Sequence, residues 1–333
     1  MLRERPSRVQ TGHGGAATVS AGANVSIRIG TRGSALAVAQ TSTVADRLGD
    51  LAGRDTELVR VTTHGDVSRA SLSSLGGTGV FAAELRSTLL EGGCDVAVHS
   101  LKDLPTAPAG GLEIAAYPPR EDARDALCSA GGGAGSRLSE LPAGAKVGTG
   151  SPRRAAQLRV RRPDLDVRDI RGNIETRLRF VTDGELDAVV LACAGLDRLG
   201  LAGVITERFE LDEWPTAPGQ GCLAVEVRAG EAIAGVADLD DPATRAAVTA
   251  ERLVLAALEA GCAAPVGATA RLANGELRCS ASVYAVDGSN VLTASASRSV
   301  DGENAALAAA VTLASEVSEA LLAQGAADLV ASA

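Results

Sequence analysis

The strongest constraint on this chain is a repeated order of short apolar runs and helical stretches, each run closing on a glycine-rich or charged turn. Ser26-Ile27-Arg28-Ile29-Gly30 reads as a short strand, Thr31-Arg32-Gly33-Ser34 as a turn, and Ala35–Asp50 as a helix packed through Leu36, Val38, Val44 and Leu48. A second strand, Glu57–Thr62, leads into a Gly- and Ser-rich loop over 64–79 that is more flexible than a simple connection requires. A helix over Val80–Glu91 returns the chain to Val96-Ala97-Val98-His99-Ser100. This apolar run gives way to Lys102 and Asp103 before Pro105 stops any regular structure. Strand-helix-strand-helix-strand in this order predicts a parallel sheet with right-handed crossovers. Such sheets bind ligands at the carboxyl ends of their strands, where Lys102 and Asp103 would stand.

Beyond Pro118-Pro119 the order repeats. Lys146–Arg154 reads as strand, turn and a helix with Pro152 in its first turn, followed by a strand Asp166–Ile170, a helix Ile174–Thr182, a strand Ala188–Ala192 and a turn at Ala194-Gly195-Leu196. The last third differs. A long amphipathic helix, Pro242–Ala260, is expected to stop at Gly261 in the C′ position. Strands near 266–272, 276–286 and 290–298 and a helix from Glu303 to about Leu322 then make a small α+β domain. A chain of 333 residues exceeds what one core usually serves, so two or three domains are expected. Residues 1–24 carry no apolar stretch of signal-peptide length and read as a disordered extension, with the fold starting near Val25.

A formal charge of −9 argues against general affinity for nucleic acid, and an aromatic content of 2% removes the platforms on which single strands stack. No run of 18 apolar residues occurs, so no membrane span and no membrane partner are expected. The six cysteines (94, 128, 193, 222, 262 and 279) show no CxxC spacing, and His13, His64 and His99 have no i, i+4 relation. No metal site is expected, and reduced thiols fit a cytoplasmic compartment.

Only two of the 32 basic residues are lysines, so Lys102 beside Asp103 is one of a nearly abandoned type. A solvated turn with a surface ion pair is the alternative for a bare Lys-Asp dipeptide. Arg32, Gly33 and Ser34 at a helix start form a candidate anion seat. From Arg153 to Arg179 nine arginines stand against four acids, a local reversal of the overall charge that suits bidentate grip of carboxylates or phosphates. Arg159, Arg161 and Arg162 fit a solvated helix face. Arg153, Arg154, Arg171 and Arg177 follow strands, on the ligand edge. Cys262 is the one cysteine on a loop beside a helix end and glycines, where a thiol can be reached and ionised, although structural filler fits its position equally well. Two rival readings have a class of their own. A two-lobed anion-binding module has no use for Cys262 or the last domain. A cysteine hydrolase with His64 or His99 as base lacks an evident orienting partner.

The motifs decide among these. IRIGTRGSALA at 27–37, GDVSR at 65–69, VHSLKDLPT at 98–106, PPREDARDA at 118–126, GTGSPRR at 148–154, IRGNIETR at 170–177, LACAGLDRLGL at 191–201, Pro215–Gly221 and EAGCAAPVG at 259–267 follow one another in an order that resembles the porphobilinogen deaminase (hydroxymethylbilane synthase) family over residues 26–333. The resemblance implies an α/β fold of two lobes like those of a periplasmic binding protein plus a small α+β C-terminal domain. It implies a first domain of 25–118 and 221–238, a second of 119–220 and a third of 241–333 carrying the cofactor cysteine. It implies linkage of four porphobilinogen molecules head to tail with loss of ammonia and hydrolytic release of linear hydroxymethylbilane in tetrapyrrole synthesis. The primer would be a dipyrromethane cofactor held by a thioether to Cys262. Asp103 matches the family's catalytic carboxylate. Lys102, Thr149, Ser151, Arg153, Arg154 and Arg177 match cofactor-binding positions, and Arg32, Ser34, Arg171 and Arg198 match positions that hold the incoming substrate. Hinge-like linkers near 118–122 and 215–221 and a monomer are expected. Thr78 stands where many members carry a loop lysine, and Cys222 where a small alanine is usual.

Overall fold

A computed structural model describes residues 26–62, 82–130, 137–260 and 264–331. Two five-stranded sheets and one three-stranded sheet organise it. The first contains β1 (Ile27–Arg32), β2 (Thr56–Val61), β3 (Val96–Ser100), β4 (Leu112–Ala116) and β10 (Leu223–Arg228), in the order β2-β1-β3-β10-β4. The second contains β5 (Asp125–Ser129), β6 (Lys146–Thr149), β7 (Asp166–Asp169), β8 (Ala188–Ala192) and β9 (Glu207–Arg208), in the order β7-β6-β8-β5-β9. The two lobes therefore share one topology.

Neither sheet is wholly parallel, which corrects the expectation from the strand–helix order. β2, β1 and β3 run parallel, as do β7, β6 and β8, but β10 is antiparallel to β3 and β4, and β5 is antiparallel to β8 and β9. The register gives the reason. β10 enters with Leu223 opposite Ser100, the last residue of β3, and β5 enters with Asp125 opposite Ala192, the last residue of β8. Each strand arrives from the other lobe at the carboxyl edge of its sheet and can only run back against its neighbour. Both crossover segments thus lie along the two ligand edges.

Local chemistry accounts for the helices. α1 (Ala35–Ala52) starts where Ser34 accepts from the Ala37 N–H, and stops at Gly53, whose φ of 60° is left-handed. Its buried side is Gln40, Thr41, Val44, Ala45 and Leu48, while Leu36 turns toward the second lobe, 3.7 Å from where a Cβ on Gly195 would stand. α2 (Ala83–Leu90) packs through Leu85 and Leu89. α3 (Pro152–Arg161) and α4 (Ile174–Thr182) are capped by Ser151 and Asn173. Residues Cys193–Arg198 form a short helix, α5, where a turn was expected; four of its six residues are buried, so packing overrides Gly195.

In the C-terminal domain, β11 (Val266–Ala273), β12 (Glu276–Tyr284) and β13 (Val291–Ser299) form an antiparallel sheet under α6 (Pro242–Ala257) and α7 (Glu303–Ala323); a short helix, α8 (Ala326–Ala331), follows. Its core is small aliphatic residues such as Ala250, Val254, Ala268, Ala281, Ala310 and Leu313, as the scarcity of rings requires. α6 ends three residues before the expected Ala260, because Glu259 takes a left-handed φ of 50°; Gly261 lies outside the described residues. α7 is long and apolar enough by composition to cross a membrane, contrary to the expectation of no such segment. Its alanine content explains this: Ala306, Ala310, Leu313, Val317 and Leu321 make one stripe buried in the core of the domain.

Candidate functional site

β3 ends in a three-residue 3₁₀ turn, Leu101–Asp103, anchored by the fully buried Leu101 and Leu104. Between these anchors Lys102 and Asp103 emerge on different sides and line two different pockets. Asp103 shares one with Arg32, Gln40, His99 and Ser100 of the first lobe. Among the described residues Asp103 makes no hydrogen bond or ion pair. Behind it, His99 is buried with its Nε2 3.2 Å from Glu226, a carboxylate that also takes a bidentate grip from Arg86. Ser34 caps α1 beside Arg32, so its hydroxyl is already engaged with the Ala37 N–H.

Lys102 lines the second pocket, where all three parts of the chain meet. Ser151 and Arg153 come from the second lobe, Ala217 and Pro218 from the returning crossover, and Leu255 and Ala264 from the C-terminal domain. Burial first, then the nearby Arg154, pulls the Lys102 ammonium down to about 8. Gln220 joins the lobes here, its Oε1 lying 3.4 Å from Lys102 Nζ and 3.3 Å from Arg154 Nη2.

The arginines of the second lobe are arranged around one buried carboxylate that sequence reading did not single out. Asp125, fully buried at the start of β5, accepts from Arg153 Nη2 (2.9 Å), Arg154 Nη2 (2.6 Å), Gln220 Nε2 (2.8 Å) and the Trp214 indole (2.9 Å). The two guanidiniums hold it far below the usual carboxylate range despite its burial. A charged residue opening the apolar run Ala126-Leu127-Cys128 was the available signal. Arg153 and Arg154 are themselves almost fully buried, and their Nε atoms have no hydrogen-bond partner among the described residues. Thr149 Oγ1 accepts from the Ser151 N–H at 3.2 Å, fixing the turn that precedes α3.

Arg171 and Arg177 converge on Gly150. A Cβ there would meet the Ile170 carbonyl at 2.6 Å and would lie 3.6 Å and 3.7 Å from guanidinium nitrogens of Arg171 and Arg177. Glycine keeps this space open. Arg177 donates to the Gly172 carbonyl and has no carboxylate partner among the described residues; burial, then Arg154 and Arg171, brings it down to about 10. Arg171 pairs with Asp169 at 3.3 Å on its exposed side, while its buried Nε has no partner among the described residues. Arg198 donates to the Gly221 carbonyl at 2.8 Å, and burial lowers it too. Half-buried, mutually repelling cations, with a buried donor unpartnered among the described residues, form a site that suits multivalent anions.

Of the other arginines, Arg161 is exposed and pairs with Glu213 at 3.1 Å, as a solvent face requires. Arg159 and Arg162 instead hold backbone carbonyls, of Val286 and of Leu138 and Leu141. Sequence reading also passed over Glu251 and Arg120. Glu251, fully buried on α6, accepts from Arg120 Nη1 (2.6 Å) and Nη2 (3.0 Å), the Gly219 N–H (2.7 Å) and the Ala270 N–H (2.7 Å). It ties both crossovers to the C-terminal domain. Cys262, His64 and Thr78 lie outside the described residues; the other five cysteines are buried. Cys222, between the crossover and β10, packs as filler.

A family model for "porphobilinogen deaminase, dipyromethane cofactor binding domain" matches residues 27–234, and one for "porphobilinogen deaminase, C-terminal domain" matches residues 245–323. The chain belongs to the porphobilinogen deaminase family. The porphobilinogen deaminase of Leifsonia xyli is 58% identical over 311 residues, which are 91% of this chain and 94% of that one. Porphobilinogen deaminase 1 of Streptomyces coelicolor is 51% identical, over 91% of this chain and 97% of its own. Among solved structures, the aliphatic sulphonate binding protein SsuA from Escherichia coli aligns over 70% of each chain at 13% identity and a TM-score of 0.37. Family members are transferases: they join porphobilinogen units with loss of ammonia to make hydroxymethylbilane. The first matched model names the dipyrromethane group, and the residues above fit it. The two pyrroles carry four carboxylates in all, and the Nε atoms of Arg153, Arg154 and Arg171, without partners among the described residues, would with Arg177 be donors for such groups.

Proposed function

We propose that Asp103 is the catalytic carboxylate of a hydroxymethylbilane synthase and that the pocket between Lys102 and Ser151 holds a dipyrromethane thioether-linked to Cys262. The observation that carries the reading is the pairing of opposites across the strand ends. A carboxylate without a partner among the described residues stands in the first lobe, and a group of buried and half-buried, under-neutralised arginines in the second. Ala264, two residues past Cys262, lines the Lys102 pocket, which supports that cysteine as the attachment point.

When bound, dipyrromethane supplies the free pyrrole carbon to which substrate is joined. Lys102, Thr149, Ser151, Arg153, Arg154 and Arg177 would hold its acid groups. Arg32, Ser34, Arg171 and Arg198 would hold the acetate and propionate of porphobilinogen. Breaking the aminomethyl C–N bond releases ammonia and leaves a pyrrole-stabilised cation, and a carboxylate beside the pyrrole N–H stabilises that developing charge. A preorganised group of this kind is typically worth about 10²–10³ in rate. Asp103 has its lone pairs available for this role, and its position is fixed by Leu101 and Leu104.

The same proposal divides the chain into units 25–118 with 221–238, 119–220 and 241–333, hinged near 118–122 and 215–221, and makes it a cytoplasmic monomer with reduced thiols. Attachment is tested by proteolysis and mass mapping of holo-protein. Two pyrrole units should travel with the peptide containing Cys262, and Cys262→Ser should leave a folded chain that fails the aldehyde colour reaction for dipyrromethane. Pyrrole mass on a Cys222 or Cys128 peptide would move the attachment elsewhere.

A further inference from the structure

We infer that Arg252, on the C-terminal domain, is a positioning residue for the turn that carries Lys102 and Asp103. Its Nη1 donates to the carbonyls of Leu101 (3.4 Å) and Leu104 (3.1 Å), and its Nη2 to the carbonyl of Pro105 (2.5 Å). The turn needs such a donor. A 3₁₀ turn of three residues leaves its last carbonyls without partners of its own, and Pro105 contributes no N–H to the neighbourhood. Leu101 O receives only the Leu104 N–H from within the turn. One planar fork of N–H groups spans several carbonyls that a single ammonium could not hold in the same geometry.

The rest of α6 explains why the residue is placed there. Leu255, three positions on and on the same helix face, lines the Lys102 pocket. Glu251, one position earlier, pins the two crossovers through Arg120 and the Gly219 N–H. Adjacent residues of one helix thus hold the crossovers and the reactive turn. Other supports of the turn come from the returning chain and from α6 itself: the Leu101 N–H donates to Cys222 O at 3.0 Å, Gly219 packs against the Leu101 side chain, and Val248 shares a buried cluster with Leu101 and Leu104. Arg252 ties the backbone of the turn to α6 by hydrogen bonds, alongside the packing of Val248 from the same helix. Its replacement removes the hydrogen bonds to Leu101, Leu104 and Pro105 and alters no residue assigned to substrate carboxylates.

The inference rests on Asp103 being the catalytic carboxylate, so the test is a cycle that separates the two. Holo forms of the parent, Arg252→Met, Asp103→Asn and the double variant are compared, with kcat and KM for porphobilinogen expressed per dipyrromethane bound and melting temperatures recorded. Arg252→Met should lower kcat roughly 10- to 100-fold, leave KM within about threefold, and add less than about twofold in the Asp103→Asn background. Equal losses from Arg252→Met in both backgrounds, or an unchanged kcat, would overturn the inference. Full turnover by Asp103→Asn alone would instead sink the catalytic reading beneath it. Should Arg252→Met fail to fold, Arg252→Lys serves. Loss of kcat with a near-parental melting temperature supports positioning, and parental kcat contradicts it.

Discussion

Two aspartates at corresponding edges of the two lobes set the lobes apart. Asp103 stands just past the end of β3, half-exposed and without an ion pair among the described residues. Asp125 opens β5 at the matching edge of the second lobe, buried beneath two guanidiniums, an amide and an indole. One topology thus supports two uses of the same side chain. A carboxylate left free can meet charge that develops in a substrate. A carboxylate saturated with donors can only hold its donors in place, and here those donors are the arginines that would meet the acid groups of a polypyrrole. On the proposed reading, Asp103 keeps its charge for chemistry, and Asp125 commits its charge to geometry.

The largest effect that can break this contrast is on stability. Asp125→Asn keeps the shape of the side chain and leaves Arg153 and Arg154 buried without a counter-charge. It should lower unfolding free energy in urea by about 3–5 kcal/mol, the usual result of removing one partner from a buried ion pair. Asp103→Asn should change stability by less than about 0.5 kcal/mol. The acid limb gives the same contrast. Asp125 has a folded pKa far below its unfolded value, so its contribution is complete above about pH 4 and is lost as pH falls toward the folded value. Asp125→Asn should remove that limb of the unfolding profile. A loss below about 1 kcal/mol would mean that the arginine pair does not depend on Asp125.

A smaller effect belongs to Lys102, which links the lobes through Gln220. Burial and Arg154 bring it from 10.5 to about 8. A lysine so depressed binds fewer protons folded than unfolded between those values, so its contribution to the stability of the cofactor-free protein rises with pH across that window. Carboxylates placed beside it restore the proton. Loading with dipyrromethane at pH 9 should therefore take up close to one proton per chain that Lys102→Met does not take up, measured by calorimetry in buffers of different ionisation enthalpy. Equal uptake by parent and variant would show that the acid groups settle elsewhere.

The smallest effect is expected at Arg161. It is 38% exposed, pairs with a Glu213 that is 72% exposed, and lies across Trp214 with its guanidinium carbon 5.8 Å from the ring. Arg161→Leu should cost no more than about 1 kcal/mol and leave cofactor loading intact. Impaired loading would place this face of α3 toward the cleft and weaken the division between committed and solvent arginines.

Much of this was legible in the sequence because the relevant physics is local. Strand ends were readable where apolar runs gave way to glycine or charge, and α3 where Pro152 stands in its first turn. Lys102 and Asp103 stood out for the same reason: they interrupt an apolar run. What stayed hidden was decided at long range. The direction of β10 depends on where the chain re-enters the first lobe, and α5 forms because four of its residues are buried in spite of Gly195. The Asp125 pairing joins residues 28 and 29 positions apart on different elements. Glu251 and Arg252 read as ordinary charges on an amphipathic helix, and only packing shows that one is buried against the crossovers and that the other donates to the turn carrying Lys102 and Asp103.

The most direct measurement of the central claim is single-turnover ammonia release by holo-protein, with Asp103→Asn and Asp125→Asn compared at equal cofactor occupancy alongside their melting temperatures. The account predicts that Asp103→Asn binds porphobilinogen and melts like the parent, yet releases ammonia at least about 10²-fold more slowly, each tenfold being 1.36 kcal/mol of lost transition-state stabilisation. Asp125→Asn should melt far lower and, where still folded and loaded, lose less in this step than Asp103→Asn does. Release within tenfold of the parent by Asp103→Asn would contradict the account.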